Sequence, residues 1–420
     1  MNLSSRIFAV ALLAVPPAAH AAATEPKAGC AVAIGGALAA NNDEVWQRVV
    51  RLAGGKDARI AVFASAAADP VKSAESIIAS LNQRGAKAEH IPVAVNLKST
   101  DWRAAVQDSA LIAKVRDSGG VYFAGGSQAR ITEVLLSKEG KPMLEAIRAV
   151  QQKGGVVAGS SAGAAIMSEV MFNEPQAILD MLKNGVRDGA DVAPGLGFAG
   201  PGLMVDQHFL KRGRFGRLLP ALMHTGIPLG VGVDENTAAI FCGREVEVIG
   251  AKGALVIDTR AASRNRALPH FNVKNAKLTY LDRGDRMHLD TLAITPAPAK
   301  AARRIDPNAK DYKPYHSKPE FHTDVLADTV VANLMGNFID NPQREVIGLA
   351  FDALQLAKPD ADERTTIGFE FRFSKGKDSV GWFTSAFGGE DYTVANIRLD
   401  VTPVKMARPL YAPLNPPAPR

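Results

Sequence analysis

Ser161 lies in Gly159-Ser160-Ser161-Ala162-Gly163, with the β-branched residues Val156 and Val157 before it and an Ala-rich run after it. Glycines two before and two after a serine permit a sharp strand-to-helix turn that lifts the hydroxyl clear of a sheet end, as a nucleophile requires. An ordinary Gly-rich turn, or an anion site at a helix N-terminus, would share that pattern, so the partners must decide. A serine nucleophile needs a base within hydrogen-bond reach and a group that orients the base. Among the histidines, His208 is preferred, because it ends the polar cluster Asp206-Gln207-His208 directly after the apolar residues 202–205. For the orienting acid, Asp234 and Glu235 follow the apolar run 229–233, and adjacent strand residues face opposite sides, so only one of the two can address His208. Asp206 is a third candidate, and periodicity leaves the choice open. The chain order is serine, histidine, acid, whereas α/β-hydrolases run serine, acid, histidine.

Attack on a carbonyl also needs backbone N–H groups preorganised for the oxyanion. Ala162, next to the serine, and Gly126, at the end of the strand-like run 120–123, are the natural pair. Arg212, Arg214 and Arg217 crowd the segment after His208, and Arg214 and Arg217 share a helix face at i, i+3. Such a patch suits bidentate binding of a carboxylate. His316 and His322 are separated by a Pro-containing loop with no cysteine partner, so no metal is expected, and no cofactor either.

These residues need a frame that brings distant segments together. Strand-like runs at 31–34, 59–64, 90–95, 120–123 and 156–160 alternate with helix-like runs at 43–52, 70–84, 102–115, 128–136 and 143–152. That alternation predicts an α/β fold with a mostly parallel, doubly wound sheet, and both Gly126 and Ser161 fall at the carboxyl ends of strands, where such sheets carry their sites. Beyond the serine, 229–241 is strand-like around Asp234 and Glu235, 245–249 with 254–257 reads as a hairpin, and 278–281 with 289–294 closes the catalytic domain, assigned to 22–295. Residues 296–318 are rich in Pro, Ala and Lys and read as a linker. Residues 319–420 read as a smaller C-terminal β-rich domain with one helix at 324–338. Phe369, Phe371 and Phe373 alternate with polar residues there and form its expected core; a polymer-binding aromatic face is the rarer reading.

Residues 1–21 hold Arg6, an apolar run at 7–15 and Ala19-His20-Ala21, the pattern of a cleaved secretory signal that is too short to span a bilayer. Export is expected, to the outside of the cell or with retention in the periplasm. The net charge of +6, one lower without residues 1–21, is too small over 420 residues to argue for nucleic acid, and no later stretch is apolar enough for a membrane span. Cys30 and Cys242 are the only cysteines; an oxidising compartment would permit one disulfide, and two buried thiols are the equal alternative.

Taken together, Ile34-Gly35-Gly36, Phe123-Ala124-Gly125-Gly126-Ser127-Gln128, the serine turn, Asp206-Gln207-His208-Phe209 with Arg212-Gly213-Arg214, and Gly232-Val233-Asp234-Glu235 resemble the cyanophycinases, serine peptidases related to dipeptidase E. The resemblance covers about residues 29–292, and the signal-like start with the C-terminal extension is similar to the extracellular members. It implies a glutamine-amidotransferase-like, flavodoxin-like fold and hydrolysis of cyanophycin, a polyaspartate carrying arginine on its side chains, to β-aspartyl-arginine dipeptides. It further implies Ser161 as nucleophile, His208 as base, Glu235 as the orienting acid, and a substrate site lined by Gln128, Asp206, Gln207, Arg214 and Arg217. Related proteins are often dimers, so a homodimer is part of what the resemblance implies. Two positions depart from the family pattern: Ser127 stands where Asp is usual, removing a charge near the substrate, and Ser160 stands where Thr is usual, keeping a hydroxyl. An aspartyl dipeptidase or amidase acting on short peptides is the alternative activity, and a binding protein with a degenerate first domain is the non-enzymatic one.

Overall fold

The computed structural model describes residues 29–358 and 362–411, and the signal-like residues 1–21 lie outside them. Five parallel strands form the heart of a first sheet. In spatial order they are Lys87–Ile91, Arg59–Phe63, Gly120–Phe123, Val156–Ser160 and Cys30–Ile34. Their residues alternate between two apolar layers: Ala31 and Ala33 enter one core, Val32 and Ile34 the other. Both faces are therefore buried, which is why these strands read as continuous apolar runs. The helix Asp43–Leu52 covers one face with Val45, Trp46, Val49 and Val50, and the helix Lys141–Gln152 covers the other with Met143, Leu144, Ile147 and Val150. This is the mostly parallel, doubly wound α/β arrangement that the alternation of segments predicts.

Beyond Cys30–Ile34 the first sheet continues antiparallel through Thr237–Cys242, Glu245–Gly250, Arg286–His288 and Ile294–Thr295. Cys30 faces Cys242 in this register with Cα atoms 4.5 Å apart, and the two form a disulfide. Neighbouring strands bearing the two cysteines were the condition for that pairing, and the alternative of two free thiols is set aside.

A second, largely antiparallel sheet starts from the parallel pair Leu203–Gln207 and Leu229–Val233 and runs on through Ala254–Asp258 and Val273–Leu281. The hairpin expected at 245–249 and 254–257 is not formed. Glu245–Gly250 belongs to the first sheet and Ala254–Asp258 to the second, so the turn between them crosses from sheet to sheet. The stretch 229–241 divides in the same way: Leu229–Val233 is in the second sheet, Thr237–Cys242 in the first, and Asp234-Glu235-Asn236 bridges them.

The C-terminal stretch is β-rich, as expected, but it extends the second sheet instead of closing as a sheet of its own. Asp391–Lys405 pairs antiparallel with Val273–Leu281, then with the long strand Ile367–Thr384, which is followed by Glu345–Ala350. Phe369, Phe371 and Phe373 share one apolar cluster with Phe215, Leu218 and Leu222 of the helix Phe215–Thr225, and the Phe215 and Phe371 rings meet edge-on at 5.3 Å. The segment read as a linker is also built in. Arg304–Ile305 pairs with Ile367–Thr384, and Lys300 is fully buried, its Nζ 2.5 Å from Asp282 and 3.6 Å from Asp285. Composition alone marked 296–318 as unpatterned because a two-residue strand and one buried lysine leave no periodicity.

Candidate active site

Ser161 follows Val156–Ser160 with φ 54° and ψ −109°, a conformation rare for a residue with a side chain. Its N–H is held by Ile34 O at 2.9 Å, and Gly125 lies so close that an added Cβ would sit 3.2 Å from Ser161 Cβ. Ala162 begins the short helix Ala162–Ala165, so its N–H has no intrahelical acceptor. Gly126, at φ +142°, packs against Ala66, whose carbonyl would lie 2.0 Å from an added Cβ; the N–H groups of Ala124 and Ser127 on either side are taken by Phe63 O and Ala66 O.

His208 arrives from the other sheet. It directly follows Leu203–Gln207, takes φ 48°, and donates its backbone N–H to Gly35 O at 2.6 Å. Phe209 anchors it from below, because its ring lies against Gly232 where an added Cβ would come within 2.0 Å. Gly36, at φ +101°, lies against the imidazole and leaves no room for a Cβ, which would stand 2.3 Å from Cε1 and Nε2. Ser161 Oγ and His208 Nε2 are 2.9 Å apart, and His208 Nδ1 and Glu235 Oε1 are 2.6 Å apart. The three side chains thus form one hydrogen-bonded line fed by strand ends of two sheets. Of the acids left open by periodicity, Glu235 is the one that reaches the imidazole; Asp234 instead accepts the Leu210 N–H at 2.7 Å, and Asp206 is paired elsewhere.

Asn236 holds the acidic turn in place. Its N–H reaches Gly36 O at 2.8 Å, and its Oδ1 accepts from Ala39 N–H and from Asn42 Nδ2, the latter at 2.9 Å. Asn42 in turn caps the helix Asp43–Leu52 by accepting from Val45 N–H. Asn236, Asn42 and Gly36 carry no chemistry of their own and were missed as site residues; the positive φ demanded at a strand crossover between sheets is not visible in one sequence.

Burial lowers the His208 pKa from its ordinary value; the Glu235 hydrogen bond opposes this, and Arg212 and Arg214 reinforce it through space. The balance favours the neutral imidazole, the form that can accept a proton. Burial also brings Arg214 down to about 10, and its Nη1 donates to Gln207 O at 2.7 Å. Asp206 and Arg217 form a buried two-bond pair at 2.6 and 2.8 Å, with the Arg217 guanidinium 4.2 Å above the Phe172 ring. Asp206 Oδ1 also accepts the Gln207 N–H at 2.8 Å, so the pair is tied to the strand end that carries Gln207. Gln207 Oε1 stands 3.5 Å from Ser161 Oγ. Gln128 lies further out, its Nε2 donating to Phe172 O and Asn173 O at 3.1 and 2.6 Å. Ser127 precedes the helix Gln128–Leu135 without capping it.

An α/β sheet that presents a serine at a strand end, hydrogen-bonded to a histidine and then to a carboxylate, defines a hydrolase-type centre of the serine class. Residues 32–249 match the model of peptidase family S51, and the chain belongs to that family of serine-type peptidases. It is 33% identical over 257 residues to a cyanophycinase of Geminocystis herdmanii, covering 59% of this chain and 89% of the relative. A cyanophycinase of Trichormus variabilis is 31% identical over 264 residues, covering 60% of this chain and 83% of the relative. Among solved structures, a peptidase from an acI-B1 Actinobacterium is similar at a TM-score of 0.46 and 19% identity, over 62% of this chain and 97% of that one. No helix among the described residues is long and apolar enough to cross a membrane.

Proposed function

We propose that this protein hydrolyses cyanophycin to β-aspartyl-arginine dipeptides through an acyl-enzyme on Ser161. The observation that carries the reading is the line Ser161 Oγ, His208 Nε2, His208 Nδ1, Glu235 Oε1, with spacings of 2.9 and 2.6 Å. In this reading His208 takes the Ser161 proton as Oγ attacks the scissile carbonyl carbon, and Glu235 steadies the imidazolium that forms. The oxyanion is held by the N–H groups of Gly126 and Ala162. His208 then returns the proton to the leaving amine, a water enters, and the same base activates it to release the acid product. Gln207, whose Oε1 is 3.5 Å from Ser161 Oγ, and Arg214, bonded to the Gln207 carbonyl, are the substrate-contacting members of the set in this reading, while Asp206 and Arg217 hold them in place. Gln128 orders the outer wall. The cyanophycinase relatives support the substrate, and the family match over residues 32–249 spans the segments that supply all these residues. Secretion is part of the proposal: the Cys30–Cys242 disulfide suits an oxidising compartment, in keeping with the signal-like start.

Incubation of the purified protein with insoluble cyanophycin, followed by mass analysis of the soluble fraction, tests the reading. Release of β-aspartyl-arginine is expected, and Ser161→Ala or His208→Ala is expected to lower kcat by about 10⁴-fold or more with the fold intact by circular dichroism. A folded wild-type protein that releases no dipeptide overturns the substrate assignment.

A further inference from the structure

The line from Ser161 through His208 ends on a carboxylate that no other side chain holds. Among the described residues His208 is the hydrogen-bond partner of the Glu235 carboxylate, whose side chain is 23% exposed. A carboxylate with one partner takes its position from its own backbone, so the turn at 234–236 decides where Oε1 stands against the imidazole.

That turn is pinned residue by residue. The Asp234 N–H donates to Gly253 O at 3.3 Å, its Oδ1 accepts the Leu210 N–H at 2.7 Å, and the Glu235 carbonyl accepts from Thr237 Oγ1 at 3.1 Å. Asn236, at φ 56°, takes the left-handed conformation that asparagine tolerates better than most residues. Its N–H reaches Gly36 O at 2.8 Å, and its carbonyl accepts from the Ala251 N–H and from Asn42 Nδ2, both at 2.9 Å. Its Oδ1 accepts from the Ala39 N–H at 3.0 Å and again from Asn42 Nδ2 at 2.9 Å.

The Asn42 amide is divided between two tasks. Its Oδ1 caps the helix Asp43–Leu52 by accepting the Val45 N–H at 3.3 Å, while its Nδ2 serves both oxygens of Asn236. Two residues on, Glu44 Oε2 accepts the Gly250 N–H at 3.0 Å, beside the Ala251 that bonds Asn236. The N-terminus of one helix thereby grips both passages between the sheets, 234–236 and 251–253. The helix itself is anchored by Val45, Trp46, Val49 and Val50 in the core, so the grip is fixed to the body of the first sheet.

We infer that Asn42 is a positioning residue of the site, acting through Asn236 to hold the Glu235 carboxylate against His208. The inference rests on the Ser161, His208 and Glu235 reading of the centre. Asn42 touches neither substrate nor reacting atoms; its leverage comes from the steep cost of misplacing an orienting group. Of the groups that face His208, burial aside, Arg212 and Arg214 lower its pKa and Glu235 raises it, so loosening Glu235 leaves the imidazole harder to protonate.

Asn42→Ser separates the two tasks, because serine caps a helix about as well as asparagine but is too short to bring a donor to Asn236. With cyanophycin as substrate, the variant is expected to lose about tenfold or more in kcat with little change in KM. NMR of isotope-labelled histidine Cε1 in the full chain, assigned with His208→Gln, follows the His208 titration, and its midpoint is expected to lie below that of the wild type. Loss of a merely structural bond would lower Tm and leave that midpoint where it was. Asn236→Gly keeps the positive φ and drops Oδ1, so it is expected to move kcat and the midpoint in the same directions, and combining it with Asn42→Ser is expected to add less than the sum of the two. Should Asn42→Ser fail to fold, Asn236→Gly carries the test. An unmoved His208 midpoint in the folded variant overturns the inference, whatever happens to kcat. The titration needs no substrate, so a wild type that leaves cyanophycin intact would remove the proposed function while the midpoint still decides the role of Asn42.

Discussion

Gly36 shows how a residue without a side chain can control the chemistry of two that have one. A Cβ there would fall 2.3 Å from the His208 ring and would also have to adopt φ +101°. Gly36→Ala is expected to push the imidazole away from Ser161 and cost about 10²-fold in kcat, the usual effect of a misplacement near 1 Å. Steady-state kinetics on a variant of unchanged Tm checks it. The imidazole itself sets the pH response. Its pKa lies below the ordinary value because burial and two arginines outweigh the Glu235 bond, and the base must be neutral to act. The acid limb of kcat/KM is therefore expected to have its midpoint below pH 6.5. The same shift acts on stability with one sign: the unfolded chain takes up this proton more readily, so the His208 contribution weakens stability as pH falls below 6.5. A kcat/KM profile with its acid midpoint above 6.5 would contradict the assignment of His208 as the base.

At the scale of elements, the site depends on two sheets being held in register. Cys30–Ile34 and Thr237–Cys242 pair antiparallel beside the serine strand, and the 30–242 disulfide closes a loop 212 residues apart in sequence across that pair. The double substitution Cys30→Ser/Cys242→Ser is expected to cost about 2–5 kcal/mol, a range typical of native disulfides. Denaturant unfolding monitored by fluorescence, on oxidised protein and on the variant, measures it. The loop 209–214 depends on a different set of elements. Gly213 packs under Leu326 O, where an added Cβ would stand 2.2 Å away, Thr329 N–H reaches Leu210 O, and Lys211 pairs with Asp328. The C-terminal stretch thus clamps the segment that carries Arg212 and Arg214.

For the whole molecule, the consequence is that the stretch after residue 295 is structural to the site, although the family match ends at residue 249. Without it, Val273–Leu281 becomes an open edge, Phe215 and Leu218 lose the cover of Phe369 and Phe371, and Asp282 and Asp285 are left buried without Lys300. An unpaired buried charge and an exposed apolar sheet face are each strongly destabilising. A chain ending at residue 295 is expected to aggregate or to elute as an expanded species in size-exclusion chromatography. A monodisperse, active fragment 22–295 would show that the extension is dispensable.

Much of this was legible along the chain. The doubly wound sheet followed from apolar runs alternating with amphipathic helices, and the positions of Ser161, Gly126 and His208 followed from local rules: glycine turns, and polar residues just beyond strand ends. These signals survive in one dimension because each arises from neighbours a few residues apart. The choice between Asp234 and Glu235 did not follow, since both end the same strand and periodicity says only that they part company. Their destinations depend on a crossover from one sheet to the other at 234–236, and the false hairpin at 245–257 hid the same crossover. Nor could local composition show that residues 296–405 continue the sheet that carries His208, because strand pairing between 273–281 and 391–405 is set by long-range burial and leaves no local trace. The sequence by itself determined the chemistry available to this protein; the tertiary structure decided which carboxylate meets the histidine and which turns to the Leu210 N–H, because only the packing of two sheets assigns each side of that turn its neighbour.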